Sequence, residues 1–122
     1  MPAPFKGKAI AKRRALRHRL AFEARPFSSD GHGNTEGEFE TVFIIHAAIE
    51  ARLGGEQVLA QRLVGVQPVT IGIRQSRATK MITTDWRARH LVTGVIYNIR
   101  SIADADDDRR YFDLLCDSGV AT

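Results

Sequence analysis

The side chains able to do chemistry are few and scattered along this 122-residue sequence. The four histidines, His18, His32, His46 and His90, have no cysteine, second histidine or carboxylate at the short spacings by which a zinc site gathers its ligands. The single cysteine, Cys116, has no partner for an internal disulfide. Its neighbours Leu114 and Leu115 argue for a buried thiol, not an exposed thiolate served by a histidine base. The stretch Asp104-Ala105-Asp106-Asp107-Asp108 opens like a calcium loop, but such a loop needs glycine at its sixth position and a bidentate glutamate at its twelfth, where Arg109 and Leu115 stand. No Gly-x-x-x-x-Gly-Lys cradle occurs, and Gly31-His32-Gly33 sits in a turn, not before a helix whose N-terminus could hold phosphate. The expectation is a chain without catalytic residues, metal or cofactor: not an enzyme.

The basic residues say more. Arg74, Arg77, Lys80, Arg87 and Arg89 have a single acid among them, Asp85. Two readings stand: a surface turned toward a polyanion, or outward arginines that form weak surface ion pairs. Trp86, inside this stretch, suits stacking on a base, an interface or the core. A second group, Lys6, Lys8, Lys12, Arg13, Arg14, Arg17 and Arg19, accounts for 7 of the 18 basic residues. The rest of the chain has 11 basic against 14 acidic residues, so the formal charge of +4 belongs to the N-terminal stretch around a mildly acidic body. Residues 1–15 read as a basic, flexible arm able to hold phosphate or an acidic neighbour, and residues 16–120 as one domain of a size that folds as a unit.

The elements that must carry these residues are mostly strands. From Leu16, apolar Leu20 and Phe22 alternate with Arg17, Arg19 and Glu23, the pattern of a half-buried strand that Pro26 ends. Ser28 to Asn34 is a hairpin-like turn. Phe39 to Ile49 is apolar at both parities and predicts a central strand. Gly54-Gly55 breaks it, and Glu56 to Val66 gathers Val58, Leu59, Leu63 and Val66 on one side of a helix of about three turns. Alternation returns at Val69–Ile73, in Val95–Ile102 and in Tyr111–Cys116, with the acidic stretch 104–108 as the turn between the last two. Between Gln75 and Gly94 it weakens, which predicts a long loop with one more strand at most. Five strands and one inserted helix predict a mainly β fold: a small antiparallel β-barrel with one short helix and long loops. No apolar run approaches the roughly 18 residues that span a bilayer. Lys12, Arg13 and Arg14 interrupt any secretory leader, so the expected place of synthesis and residence is the cytoplasm, with no membrane partner.

Taken in order, Leu16-Arg17-His18-Arg19-Leu20, Asp30-Gly31-His32-Gly33-Asn34, Val42–Ile49, Gly54-Gly55-Glu56, Val69-Thr70-Ile71-Gly72-Ile73-Arg74, Ile96–Ile102 and Leu114-Leu115-Cys116-Asp117-Ser118-Gly119 resemble the phage head-tail joining, or head-closure, family over residues 14 to 120. The chain departs from it at Phe39 and His46, where members often carry tryptophan. The resemblance implies a ring-forming subunit of the virion neck, from a phage, a prophage or a phage-like particle. It would sit below the portal and adaptor, close the exit channel on packaged double-stranded DNA, and dock a tail or tail-terminator protein. Under this reading Arg74, Arg77, Lys80, Trp86, Arg87 and Arg89 are candidates for a DNA-channel or gating loop within residues 75–91, and Lys12, Arg13, Arg14, Arg17 and Arg19 for subunit or adaptor contact. A tail-completion or terminator protein shares the same character. A small-barrel nucleic-acid-binding module would instead use Arg77, Lys80, Trp86, Arg87 and Arg89 on single strands.

Overall fold

The fold is that of a computed structural model, which describes residues 9–29, 34–105 and 109–119. Six strands close into an antiparallel barrel in the order β1 (His18–Ala24), β4 (Glu40–Ala51), β5 (Gln67–Arg74), β8 (Tyr111–Ser118), β7 (Ile96–Asp104) and β6 (Arg87–His90), and β6 pairs back onto β1. Two short strands, β2 (Phe27–Ser29) and β3 (Asn34–Glu36), form a separate hairpin on the β1–β4 connection. The predicted turn residues 30–33 lie outside the described residues, as do Lys6, Lys8 and Asp106–Asp108.

Alternation decides which side chains fill the barrel. Leu20 and Phe22 of β1, Ala47 of β4, Ile71 and Ile73 of β5, Ile99 of β7 and Leu114 of β8 are all essentially inaccessible and form one cluster. Burying each of the larger side chains contributes roughly 1.5–3 kcal/mol relative to exposure. Cys116 belongs to the same cluster, and burial, with Asp117 beside it, pushes its thiol up to about 12.

Three expectations change. The five-strand count becomes six barrel strands, because Arg87–His90, which has no apolar alternation, supplies Ala88 and His90 inward and closes the barrel between β1 and β7. The inserted helix α2 (Glu56–Leu63) has eight residues, about two turns, and buries only Val58; Leu59, Leu63 and Val64 face out, so the expected apolar side is not packed on the barrel. The central strand is apolar on both sides only around Ala47 and Ala48; Val42, Ile44 and His46 of its first half are exposed.

Residues 9–14, from the stretch assigned to a basic arm, lie on the barrel wall. The short helix α1 (Ile10–Arg13) seats Ile10, 1% exposed, over β5 at Gly72. A Cβ on Gly72 would stand 2.5 Å from Ile10 Cγ1 and 2.9 Å from the Ala11 nitrogen, so only glycine allows this approach. The Arg13 guanidinium then forms a bidentate pair with Glu50 at 2.9 and 3.1 Å, joined by Arg14 at 3.4 Å. The hydrogen bond from Arg13 holds the Glu50 carboxyl below its ordinary value, against the opposing effect of burial.

Candidate functional site

The outward positions of β4, β1 and β6 build one continuous face. Cross-strand register sets it in rows: Arg19 opposite His46, then Ala21 between Ile44 and Arg89, then Glu23 between Thr41 and Arg87. The β1–β4 register slips by one residue after Phe22 and Phe43, a bulge that leaves Val42 exposed beside Ile44.

Glu23 organises the charged end of this face. It is 4% exposed, and its two carboxylate oxygens accept from Arg87 Nε at 2.7 Å and Arg89 Nε at 2.9 Å. Burial alone would raise its pKa, but the hydrogen bonds from the two guanidiniums outweigh it and hold the carboxyl low. Phe39 meets two guanidiniums, with Arg87 Cζ 4.0 Å and Arg25 Cζ 4.5 Å from its ring centroid, a double cation–π contact. A cleft of about 350 Å³ opens beside this stack, lined by Arg25, Pro26, Phe39, Thr83, Asp85 and Trp86.

The predicted basic residues separate into two sets. Arg87 and Arg89 lie on β6 and are anchored to Glu23 across the strand pair. Trp86 is half-buried with its ring 5.8 Å from that of Phe43, which favours the core role over an open stacking platform. Arg74, at the end of β5, and Arg77 and Lys80 in the following loop are exposed and have no ion-pair partner among the described residues. That loop is tightly tied: Thr79, 3% exposed, accepts from the Ser76 backbone N–H at 2.7 Å and donates to the Arg74 carbonyl at 2.9 Å, at the head of a 3-10 turn, Thr79–Met81. Of the second group, Arg13 and Arg14 hold Glu50, whereas Arg17 and Arg19 are exposed; Lys12 is exposed on α1. Sequence reasoning placed Glu23 only as an outward polar residue and missed Arg25. The available signal was that Glu23 is the sole acid in the first 29 residues, among eight basic ones.

At the far end of the barrel interior, His90 Nδ1 accepts from the backbone N–H groups of Val92 and Thr93 at 3.1 and 3.2 Å. Its proton therefore sits on Nε2, which donates to His18 Nδ1 at 3.1 Å. Burial, then the proximity of His90 and Arg17, lowers the pKa of His18. Among the described residues no group of three His, Cys, Asp or Glu side chains is placed to hold a metal ion, and no helix is long and apolar enough to cross a membrane. A cleft of about 520 Å³ between α2 and β7–β8 is lined by Glu56, Arg100, Cys116 and Asp117, and Arg100 Nε donates to Asp117 at 2.9 Å.

The profile of the phage head completion protein family matches residues 11–119. The chain belongs to this family. With that membership comes a structural role in the phage head. The barrel is also similar to a chain in the virion of a native gene transfer agent particle, with TM-score 0.63, 21% identity, and coverage of 88% of this chain and 97% of that one. A protein from Shigella flexneri 2a, solved in solution, has the same fold at TM-score 0.63 and 20% identity, covering 89% of this chain and 96% of its own. No curated protein matches significantly. The outward rows of β4, β1 and β6 carry exposed Val42 and Ile44 flanked by Arg19, Arg87 and Arg89.

Proposed function

We propose that this head completion protein works as a connector subunit. Copies form a ring below the portal and adaptor, the ring retains packaged DNA, and its lower side docks the tail. The observation that carries this reading is the family match across nearly the whole chain, 11–119, on a barrel whose strands close on themselves. A closed barrel has few free backbone edges, so contacts between copies are made by side chains on its outer wall. The exposed Arg74, Arg77 and Lys80 supply cations for duplex phosphates in the lumen, an attraction that is independent of sequence and weakened by salt. Because the Ser76–Thr79 hydrogen bonds pin that loop at its base, it narrows the channel as a fixed cationic lip. Arg87, Arg89 and Trp86 act behind it by holding the wall, while the exposed Arg17 and Arg19 face neighbouring subunits or an acidic adaptor surface.

The test is single-particle imaging and mass photometry of the purified chain, alone and with particles lacking it. Rings, or density restored at the particle neck, support the connector reading. A monomer that leaves such particles unchanged and binds oligonucleotides with a steep salt dependence would replace it with the nucleic-acid-binding module.

A further inference from the structure

Two exposed apolar patches stand at opposite ends of β4. The first is Val42 and Ile44, 45% and 46% exposed, on the outer barrel face. The second is on α2, which follows the other end of the strand: Leu59 and Leu63, one turn apart and 52% and 78% exposed, with Val64 at 77%. From Ile44 to Ala51 the strand alone separates them by roughly 20–25 Å at about 3.4 Å per residue. An eight-residue helix that buries one valine, exposes both its leucines and is followed by an exposed Val64 is under-packed on its own barrel.

The charges around the patches differ. The strand patch is bordered by Arg19 and Arg89 on the β1–β6 side and by Arg74 on the other, with Ile44, His46 and Arg74 lining a shared cleft of about 390 Å³. The acid on that face, Glu23, is buried and already holds two arginines. On the helix, Glu56 lies on the Leu59–Leu63 side, three residues before Leu59, with no ion pair among the described residues, and Arg62 flanks the far side. Two strand patches face to face would set arginine against arginine, whereas a strand patch against a helix patch sets Arg19 or Arg74 against Glu56.

We infer that the α2 face of one copy docks on the Val42–Ile44 face of the next, so that the subunits join head to tail. This rests on the ring reading above, because a closed ring needs two different, mutually complementary faces on every subunit. Leu59 and Leu63 fill the shallow cleft beside Ile44, and Glu56 reaches the Arg19–Arg74 rim.

Cysteine cross-linking of the full chain tests this without interference from the buried Cys116. With both Ile44→Cys and Leu63→Cys in one chain, oxidation gives a ladder of multimers extending past the dimer. A 1:1 mixture of the two single variants stops at the dimer, and neither single variant cross-links alone. Glu56→Arg weakens the ladder at least several-fold, and adding Arg19→Glu restores it. A disulfide dimer from Leu63→Cys alone overturns the head-to-tail contact in favour of helix-to-helix pairing. Rings seen by imaging with no cross-linked ladder overturn these two faces and leave the ring reading standing. No ladder, no rings and no density restored at the particle neck together remove both.

Discussion

Arg87 donates its Nε–H to Glu23 at 2.7 Å across the β1–β6 pair while its guanidinium carbon stands 4.0 Å over the ring of Phe39. One arginine thus joins a buried carboxylate to an aromatic ring on the chain segment entering β4. It fixes the strand that closes the barrel to the residue leading into the longest one.

Removing the carboxylate should leave two guanidiniums facing each other. Breaking a buried ion pair costs about 3–5 kcal/mol, and the partial exposure of both arginines brings the expectation for Glu23→Ala to roughly 2 kcal/mol. Glu23→Gln, which keeps an acceptor, should lose less. The Glu23 pKa lies below its ordinary 4.5 in the folded protein, so its contribution is complete above pH 4.5 and is lost as pH falls through the folded value. Urea titrations between pH 3 and 6 should show this acid loss in the native chain and a flatter profile in Glu23→Gln. Parallel profiles would refute the assignment.

The histidine pair should set a second, milder pH dependence. His18 has a pKa lowered from 6.5, so below that pH the unfolded chain takes up its proton more readily than the folded one. Stability should therefore fall as pH drops below 6.5 and level off once the folded His18 is also protonated. His18→Asn, whose side-chain oxygen can accept from His90 Nε2, should flatten this part of the curve. An unchanged slope in the variant would show that the pair does not control it.

Gly72→Ala should unseat α1. The added methyl meets Ile10 Cγ1 and the Ala11 nitrogen, and overpacking of this kind costs about 1–3 kcal/mol. In an Ile10→Ala background the cost should shrink, giving a coupling energy measurable by a double-mutant cycle. Full additivity would mean that the helix is not held at this point.

Cys116 should be silent toward thiol reagents in the native state. Its thiol, 3% exposed and raised to about 12, has little thiolate at pH 8. One equivalent should react in denaturant and almost none before it. Rapid native labelling would indicate that β8 opens.

Much of the barrel was legible because its strands obey a period of two with one side apolar: Val69, Ile71 and Ile73, and Leu114 with Cys116, needed no tertiary information. β6 was not legible, since Arg-Ala-Arg-His carries no hydrophobic pattern and owes its place to pairing on both edges. α2 misled for the opposite reason, having an apolar side that its own barrel does not cover. The charged site shows the same limit. Arg87 and Arg89 seemed short of acids because only one, Asp85, lay nearby in sequence, whereas Glu23 sits 64 and 66 residues away and meets them across a strand pair.

The alternation within β1 also bears on inheritance. Leu20 and Phe22, which hold the barrel, point inward, and on the opposite parity Arg19 is exposed on the outer wall while Ala21 and Glu23 are covered there. Selection can act on each parity separately, so a lineage can exchange its neighbours in the particle by rewriting every second residue while the strands keep their register.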